Sequence, residues 1–208
     1  MMFPNRDVAA RKLADALKEY KGQNPLILAI PRGAVPMAKI IAEELGGEID
    51  VVLVRKLGAP LNPEFAVGSI DESGWAYVAD YAPQAGATPE YIEGEKARQM
   101  ETMRKRRAQY TPIRPPIDPK DRIVIVIDDG LATGATMITA LHALRDKQPR
   151  KLICAVPVSP PDTLEKIKGY ADEVICLEAP EFFQAVGQFY RDFPQVEDEE
   201  VITILASS

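Results

Sequence analysis

The chain has 208 residues, with 25 lysines and arginines against 31 aspartates and glutamates, so its formal charge is -6. Its 46% apolar and 27% charged residues are typical of globular proteins, which excludes disordered, collagen-like and disulfide-scaffold chains. The acidic balance argues against nucleic acid as a partner, and no apolar run approaches the roughly 20 residues that span a bilayer. We expect a soluble cytoplasmic protein with neither partner, whose Cys154 and Cys176 are small buried hydrophobes.

Short apolar runs alternate with helical patterns along the chain. The first pattern predicts an amphipathic helix through Ala10, Leu13 and Leu17, with Asn5 or Asp7 as its cap. Later apolar runs predict strands at 26–30, 49–54, 123–127, 152–158 and 174–177. Continuous apolar strands that alternate with helices are typical of a parallel sheet buried on both faces. We therefore predict an α/β protein, with a doubly wound sheet of about five parallel strands and helices on both faces.

Residues 58–80 break this alternation. Their glycines and prolines predict a long loop over 57–74, interpreted as a mobile lid, and then a short antiparallel hairpin at 75–79. A charged helix is predicted over 88–110; its basic run, residues 104–107, is either a solvated face, a subunit interface or a phosphate contact. We expect a single domain, 1–208, with its core at about 20–70 and 120–178, an insertion at about 57–118 and a C-terminal hood at about 179–208.

The segment 123–136 carries the most specific signal. A buried strand delivers an acidic pair, Asp128 and Asp129, to its carboxyl end, and small and hydroxylated residues then lead into a helix. Ligands of open α/β sheets bind at this end of the strands, and a helix N-terminus offers N–H groups to a phosphate. Two adjacent carboxylates can accept hydrogen bonds from a vicinal diol. The pattern favours a sugar-phosphate site over an ordinary capped turn.

This unit resembles the signature of the type I phosphoribosyltransferases, which is an apolar strand, two acidic residues and a T-G-x-T-like phosphate loop. The resemblance implies that family's fold, with a small hood, and binding of 5-phosphoribosyl 1-pyrophosphate (PRPP). Asp128 and Asp129 would hold the ribose hydroxyls, partly through the cofactor Mg²⁺. The phosphate loop that would hold the 5'-phosphate comprises Leu131, Ala132, Thr133, Gly134, Ala135 and Thr136.

Two further segments are similar to this family. One resembles its pyrophosphate loop, in which members often hold a non-proline cis peptide bond. This loop would comprise Pro31, Arg32, Gly33 and Ala34. The other is the pair Arg55 and Lys56, which resembles the basic pair at the root of the family's catalytic loop and would neutralise the departing pyrophosphate. For Arg32 and for this pair, the alternative is a solvated cation after a strand.

Two positions depart from the family pattern. Gly130 stands where an aliphatic residue is usual, and we expect it to loosen the turn. Ala132 stands where the hypoxanthine- and guanine-type enzymes place an aspartate that acts on the purine N7 proton, so that acid/base group is missing here, as in the adenine-type enzymes. Glu64 and Glu72 are the candidate replacements, against the alternative that both are solvated loop carboxylates.

The resemblance implies an enzyme of nucleotide metabolism, a pentosyltransferase that moves the phosphoribosyl group of PRPP to a nitrogen acceptor, expected to be a nucleobase, and releases pyrophosphate. Because the family is commonly dimeric, it also allows a homodimer. Aromatic residues would stack on the base unless they only pack the hood, and the candidates are Trp75, Phe182, Phe183 and Tyr190. One alternative is a PRPP- or nucleotide-sensing regulator of the same fold with little catalysis, and another is a protein for a different sugar phosphate.

Overall fold

The structure, a computed structural model, describes residues 2–208. Within this range the helices are α1 (Arg6–Ala16), α2 (Ala34–Leu45), α3 (Pro89–Tyr110), α4 (Ala135–Arg145), α5 (Pro161–Ile167) and α6 (Asp198–Ala206). The strands are β1 (Leu26–Ala29), β2 (Glu48–Val51), β3 (Val54–Gly58), β4 (Ala66–Asp71), β5 (Ala76–Val78), β6 (Ile123–Ile127), β7 (Lys151–Val158) and β8 (Glu173–Glu178). None of the helices in this range has the length and apolarity needed to cross a membrane.

Five parallel strands form the main sheet, in the order β2-β1-β6-β7-β8. Because successive strand residues point to opposite faces, each strand contributes side chains to two separate hydrophobic cores, one on each face of the sheet. Ile27 and Ile125 pack with α1 and α2 on one face, whereas Leu28 and Val126 pack with α4 and α5 on the other. This arrangement confirms the predicted doubly wound sheet with helices on both faces.

The strand order itself locates a crevice. The chain winds in one direction from β1 to β2 and in the other from β6 to β8, so the winding reverses between the neighbouring strands β1 and β6. In open α/β sheets such a switch point leaves a crevice at the carboxyl ends of the two strands. Residues 31–34 follow β1 and residues 128–136 follow β6. The fold therefore brings the pyrophosphate loop and the phosphate loop to the same crevice.

A second sheet, with antiparallel order β3-β4-β5, occupies most of the segment predicted as a lid. The prediction of one long loop over 57–74 is wrong, because Ala66–Asp71 form the buried strand β4 and only residues 59–65 connect it to β3. A Cβ atom at Gly68 would collide with the backbone of Tyr77. The glycine therefore allows two strands to approach closely, and its presence does not indicate mobility.

A buried carboxylate holds the turn between β4 and β5. Asp71 Oδ1 accepts hydrogen bonds from the N and Oγ of Ser73 and from the N of Trp75, at 2.8, 2.6 and 3.1 Å. We expect Asp71→Ala to lower the free energy of unfolding by about 2 kcal/mol in urea denaturation, because three donors lose their acceptor. Asp71→Asn keeps an acceptor oxygen and should lose less than half as much. Equal losses in the two variants would contradict this role.

Both ends of the chain contribute to the covering of the crevice. The backbone of Phe3 bonds to Phe189 and Arg191 at 2.6 and 2.8 Å, which joins the N-terminus to the hood. Helix α6 then returns to pack against α2 and α3, and buries Val201 and Leu205. The hood is therefore anchored to the helices that flank the pyrophosphate loop.

Candidate functional site

The phosphate loop is held in shape by the neighbouring strand and helix. Leu131 N donates to Val158 O of β7 at 2.9 Å, and the buried Thr163 Oγ1 of α5 donates to Ala132 O at 2.7 Å. Gly134 has φ 84, a left-handed conformation that glycine adopts without steric cost, and α4 begins immediately after it. The first N–H groups of α4 have no acceptor within the helix, so the loop presents donors to an anion.

A cavity of about 690 Å³ opens in front of this loop. Lys56 and Glu64 of the β3–β4 hairpin, Lys166 of α5 and Phe183 of the hood contribute to its walls, together with residues 130–136. Lys56 and Lys166 add positive charge beside the N-terminus of α4. A cavity of this size accommodates a sugar phosphate together with a planar group. Lys166 and Thr163 were missed by the sequence reading, because nothing in the short helix α5 distinguishes them from surface residues.

The acidic pair lies at the end of β6, on the side of the crevice nearer the pyrophosphate loop. Burial, together with the charge of Asp129, raises the pKa of Asp128 well above its ordinary value. Burial also raises the pKa of Asp129, against the opposing effect of Arg6, whose Nε lies 3.3 Å from Asp129 Oδ2. The backbone N of Asp129 donates to Asp128 Oδ1 at 2.9 Å. Both carboxyl groups therefore have a raised affinity for a proton in this protein.

Arg6 is a site residue that the sequence reading missed. It lies in the first turn of α1, 123 positions before Asp129, and nothing in the local sequence marks it as a partner of that residue. Its guanidinium lies 3.9 Å from the centroid of the Phe193 ring and also donates to Pro194 O. Arg6 thus links the N-terminus, the hood and the acidic pair.

The pyrophosphate loop touches the acidic pair directly. The peptide bond between Pro31 and Arg32 is cis, as the resemblance implies. A Cβ atom at Gly33 would lie 2.5 Å from Asp129 Oδ2, so a side chain at position 33 would displace the Asp129 carboxylate. Arg32 Nη1 is 3.7 Å from Asp198 Oδ1 at the start of α6.

The structure separates Arg55 and Lys56, which were predicted to act together on the pyrophosphate. They are adjacent in β3, and adjacent strand residues point to opposite faces. Lys56 Nζ is 3.2 Å from Glu64 Oε2 at the cavity, whereas Arg55 Nε donates to Gln99 Oε1 of α3 at 2.9 Å. The two side chains therefore lie in different places, Lys56 at the cavity and Arg55 against α3.

Two predicted site residues of the insertion lie away from the cavity. Glu72 makes a bidentate pair with Arg107 of α3, at 3.0 and 2.6 Å. The Trp75 ring stacks on His142 of α4, with 3.6 Å between the ring centroids. Both side chains project from the β4–β5 turn and are engaged by residues of α3 and α4, so this arrangement does not support the predicted roles in proton transfer and base stacking.

Of the hood aromatics, only Phe183 lines the cavity, where it packs against Phe189 with 5.2 Å between centroids. The Phe182 residue is 88% exposed. Tyr190 is buried against Phe3, and its hydroxyl donates to Asp129 O at 2.7 Å. Tyr190 supports the acidic pair from behind and offers no face to a base.

Gly130 does not loosen the turn, contrary to the prediction. A Cβ atom there would lie 2.6 Å from Val186 Cγ1 and 2.9 Å from Val158 Cγ1. The aliphatic group usual at this position is supplied instead by Val186 of the hood. Glycine at 130 therefore permits close packing of the hood on the phosphate loop.

Comparison with known proteins agrees with this geometry. The sequence profile of the family described as Phosphoribosyl transferase domain matches residues 4–194. Two Mycobacterium tuberculosis proteins, of strains CDC 1551 and H37Rv, carry provisional names as phosphoribosyl transferases. Each is 38% identical over 205 residues, which cover 98% of this chain and 46% of the relative. The chain thus spans about half the length of the curated relatives it matches.

Solved structures share the fold. The protein TT1426 from Thermus thermophilus is 45% identical, with a TM-score of 0.82 over 100% of this chain and 99% of that one. AQ2163 from Aquifex aeolicus is 13% identical with a TM-score of 0.54, over 88% of this chain and 76% of that one, and its likeness concerns the fold alone. Because the family match spans the acidic pair and both loops, this chain belongs to the phosphoribosyl transferase domain family.

Proposed function

We propose that the chain is a phosphoribosyltransferase that moves the 5-phosphoribosyl group of PRPP to a nitrogen acceptor, with a nucleobase expected, and releases pyrophosphate. The observation that carries this proposal is the order of groups along the crevice between β1 and β6. The phosphate loop lies on one side, the acidic pair in the middle, and Arg32 on the other side. This order matches the 5'-phosphate, the ribose diol and the diphosphate of a single PRPP molecule.

The 5'-phosphate would bind at the phosphate loop. The N-terminal N–H groups of α4 and the hydroxyls of Thr133 and Thr136 supply donors, and the helix dipole favours an anion there. Lys56 and Lys166 add two cations on the cavity wall. Since these groups come from separate elements that are already packed together, binding requires little rearrangement of the protein.

The donor set of the acidic pair fits Mg²⁺, which prefers carboxylate oxygens. Across residues 2–208 no cluster of at least three His, Cys, Asp or Glu side chains could enclose a metal, so PRPP oxygens would complete the coordination. When bound, Mg²⁺ supplies charge neutralisation to the leaving diphosphate. Asp128 and Asp129 themselves would orient the ribose ring by accepting from its hydroxyls.

The chemical step would break the bond between C1 and the diphosphate oxygen as the acceptor nitrogen bonds to C1, through an oxocarbenium-like transition state. The protein contributes positioning and electrostatic stabilisation and forms no covalent bond with the substrate. Phe183 lies where it can stack on a planar acceptor in the cavity. Glu64, beside Lys56 on the cavity wall, is the remaining candidate to receive the acceptor proton.

Binding of PRPP with Mg²⁺ is expected to release protons. The raised pKa of Asp128 means that the free protein keeps its proton to a higher pH than an ordinary aspartate, whereas the complex needs the ionised form. Affinity should therefore increase with pH and become constant once the pH exceeds the pKa of the free protein. Titration calorimetry in two buffers of different ionisation enthalpy measures the protons directly. Proton uptake, or no exchange at any pH, would contradict this assignment.

Phe183→Ala is expected to raise the KM for the acceptor about tenfold or more, because base–aromatic stacking contributes about 1–3 kcal/mol. The KM for PRPP should change less than twofold, since the phosphate loop is untouched. Phe182→Ala is the matched control, because the neighbouring side chain is exposed and lies outside the cavity. An equal rise of the acceptor KM in both variants would show that Phe183 does not bind the acceptor.

The proposal is tested by measuring pyrophosphate released from PRPP in the presence of Mg²⁺ and each of a panel of nucleobases. Release with at least one base supports a transferase. Binding of PRPP without release by any base supports the alternative of a PRPP-sensing regulator. Failure of PRPP to compete with another sugar phosphate for the cavity would instead support a protein for that ligand.

A further inference from the structure

Three arginines from separate segments meet beyond the acidic pair. They are Arg32 after β1, Arg55 of β3 and Arg106 of α3. Arg32 Nη1 and Arg106 Nη2 lie 3.7 and 4.0 Å from the same oxygen, Asp198 Oδ1. Burial lowers the pKa of Arg55, and the charges of Arg106 and Arg32 lower it further. Three cations so placed favour a multiply charged anion among them.

Asp198 is a poor occupant of this position. Its Oδ1 is buried without a hydrogen-bond partner among residues 2–208, and both arginine contacts are longer than a hydrogen bond. Asp198 Oδ1 is the one carboxylate oxygen shared by Arg32 and Arg106, whereas Glu95 is the carboxylate whose charge acts on Arg55. Asp198 begins α6, which follows the end of the family match at residue 194. The carboxylate that contacts Arg32 and Arg106 therefore lies outside the segment that matches the family profile.

A second orphaned group adjoins the arginines. Tyr110 is fully buried, and its hydroxyl has no hydrogen-bond partner within the described residues. Tyr110 follows Arg106 by four positions in α3, so the two side chains lie on the same face of that helix. A buried donor without an acceptor costs free energy, and an anion at this position would remove the cost.

The other arginines of the basic run 104–107 already form ion pairs with glutamates. Arg107 pairs with Glu72, and Arg104 pairs with Glu101 at the helix surface with 71% of its side chain exposed. Of the arginines in the run, only Arg106 faces Arg32. We propose that Arg106 is a third cation of the diphosphate site, and that Asp198 occupies the position of a phosphoryl group until the anion displaces it. This inference rests on the proposed function and adds a binding residue and a built-in competitor to it.

The experiment is a calorimetric titration with inorganic pyrophosphate in the presence of Mg²⁺. Arg106→Gln should bind pyrophosphate about tenfold more weakly than the wild type, because a charge-assisted hydrogen bond is lost. Arg104→Gln, on the exposed face of the same helix, should match the wild type. Asp198→Asn should bind about tenfold more tightly, because the competing charge is gone. Glu200→Gln, in the same helical turn, should leave the affinity unchanged.

The outcomes separate this inference from the proposed function. Wild type that binds neither PRPP nor ribose 5-phosphate overturns the proposed function itself. Wild type that binds PRPP while Arg106→Gln keeps full affinity for pyrophosphate overturns the role of Arg106 alone. Unchanged or weaker pyrophosphate binding by Asp198→Asn overturns the competitor role, and this variant decides the test if Arg106→Gln does not fold. In the double variant Arg106→Gln/Asp198→Asn, the gain in pyrophosphate affinity from Asp198→Asn should be smaller, since Arg106 is one of the two arginines that contact Asp198.

Discussion

Replacing Asp128 and Asp129 together by asparagine is expected to weaken Mg²⁺-dependent binding of PRPP at least about 100-fold, because hydrogen bonds to charged groups contribute about 1.5–3 kcal/mol each. Two adjacent amides cannot provide the anionic oxygens that the diol and Mg²⁺ need. Titration calorimetry with PRPP measures the loss. Asp146→Asn, at the exposed end of α4, should bind PRPP as the wild type does.

Folding of the double variant is expected to survive. Burial raises the pKa of both carboxyl groups, so the protein gains little stability from their charges. Asp129→Asn does remove the ionic partner of Arg6, but the guanidinium keeps its contacts with Phe193 and Pro194. A folded double variant that retains PRPP affinity would show that the acidic pair is structural and does not bind the ribose.

Gly134→Ala is expected to weaken binding of ribose 5-phosphate about tenfold or more. A Cβ atom at this position would lie 2.8 Å from Thr163 Cγ2, and the positive φ adds about 1–2 kcal/mol of strain. Displacing Thr163 would also disturb its hydrogen bond to Ala132 O, which holds the phosphate loop. Calorimetric titration with ribose 5-phosphate measures this effect without involving the diphosphate.

Gly86→Ala is the matched control for this variant. Gly86 has φ +86 against +84 for Gly134, but the nearest atom to its Cβ position is Pro60 Cγ at 4.0 Å. Both variants should lose a similar amount of stability through backbone strain, and only Gly134→Ala should lose phosphate affinity. If Gly86→Ala weakens binding of ribose 5-phosphate as much as Gly134→Ala does, the loss is due to general destabilisation of the protein and not to a change in the phosphate loop.

The parts of the site that could be predicted from sequence are those encoded in one contiguous stretch. The run 123–136 contains the buried strand, the acidic pair and the phosphate loop in the order in which the fold uses them. The same holds for β1 and the pyrophosphate loop. Each strand is apolar along its length because both faces of the sheet are covered, so its signal does not depend on distant residues.

The parts that could not be predicted depend on contacts between distant segments. Arg6 and Asp198 reach the crevice from opposite ends of the chain, and a single charged residue at a helix start carries no sign of its partner. Gly68 and Gly130 were interpreted as sources of flexibility, yet each makes room for a neighbouring segment. A glycine's local sequence does not reveal whether it serves mobility or close packing, because the second role is defined by the atoms that surround it.

Binding of PRPP in the crevice between β1 and β6 is measured by titrating the wild-type protein with PRPP, with and without Mg²⁺. Saturable binding that strengthens when Mg²⁺ is present is expected, because the acidic pair has a carboxylate donor set suited to that ion. A folded protein that binds no PRPP under either condition would show that this crevice is not a PRPP site.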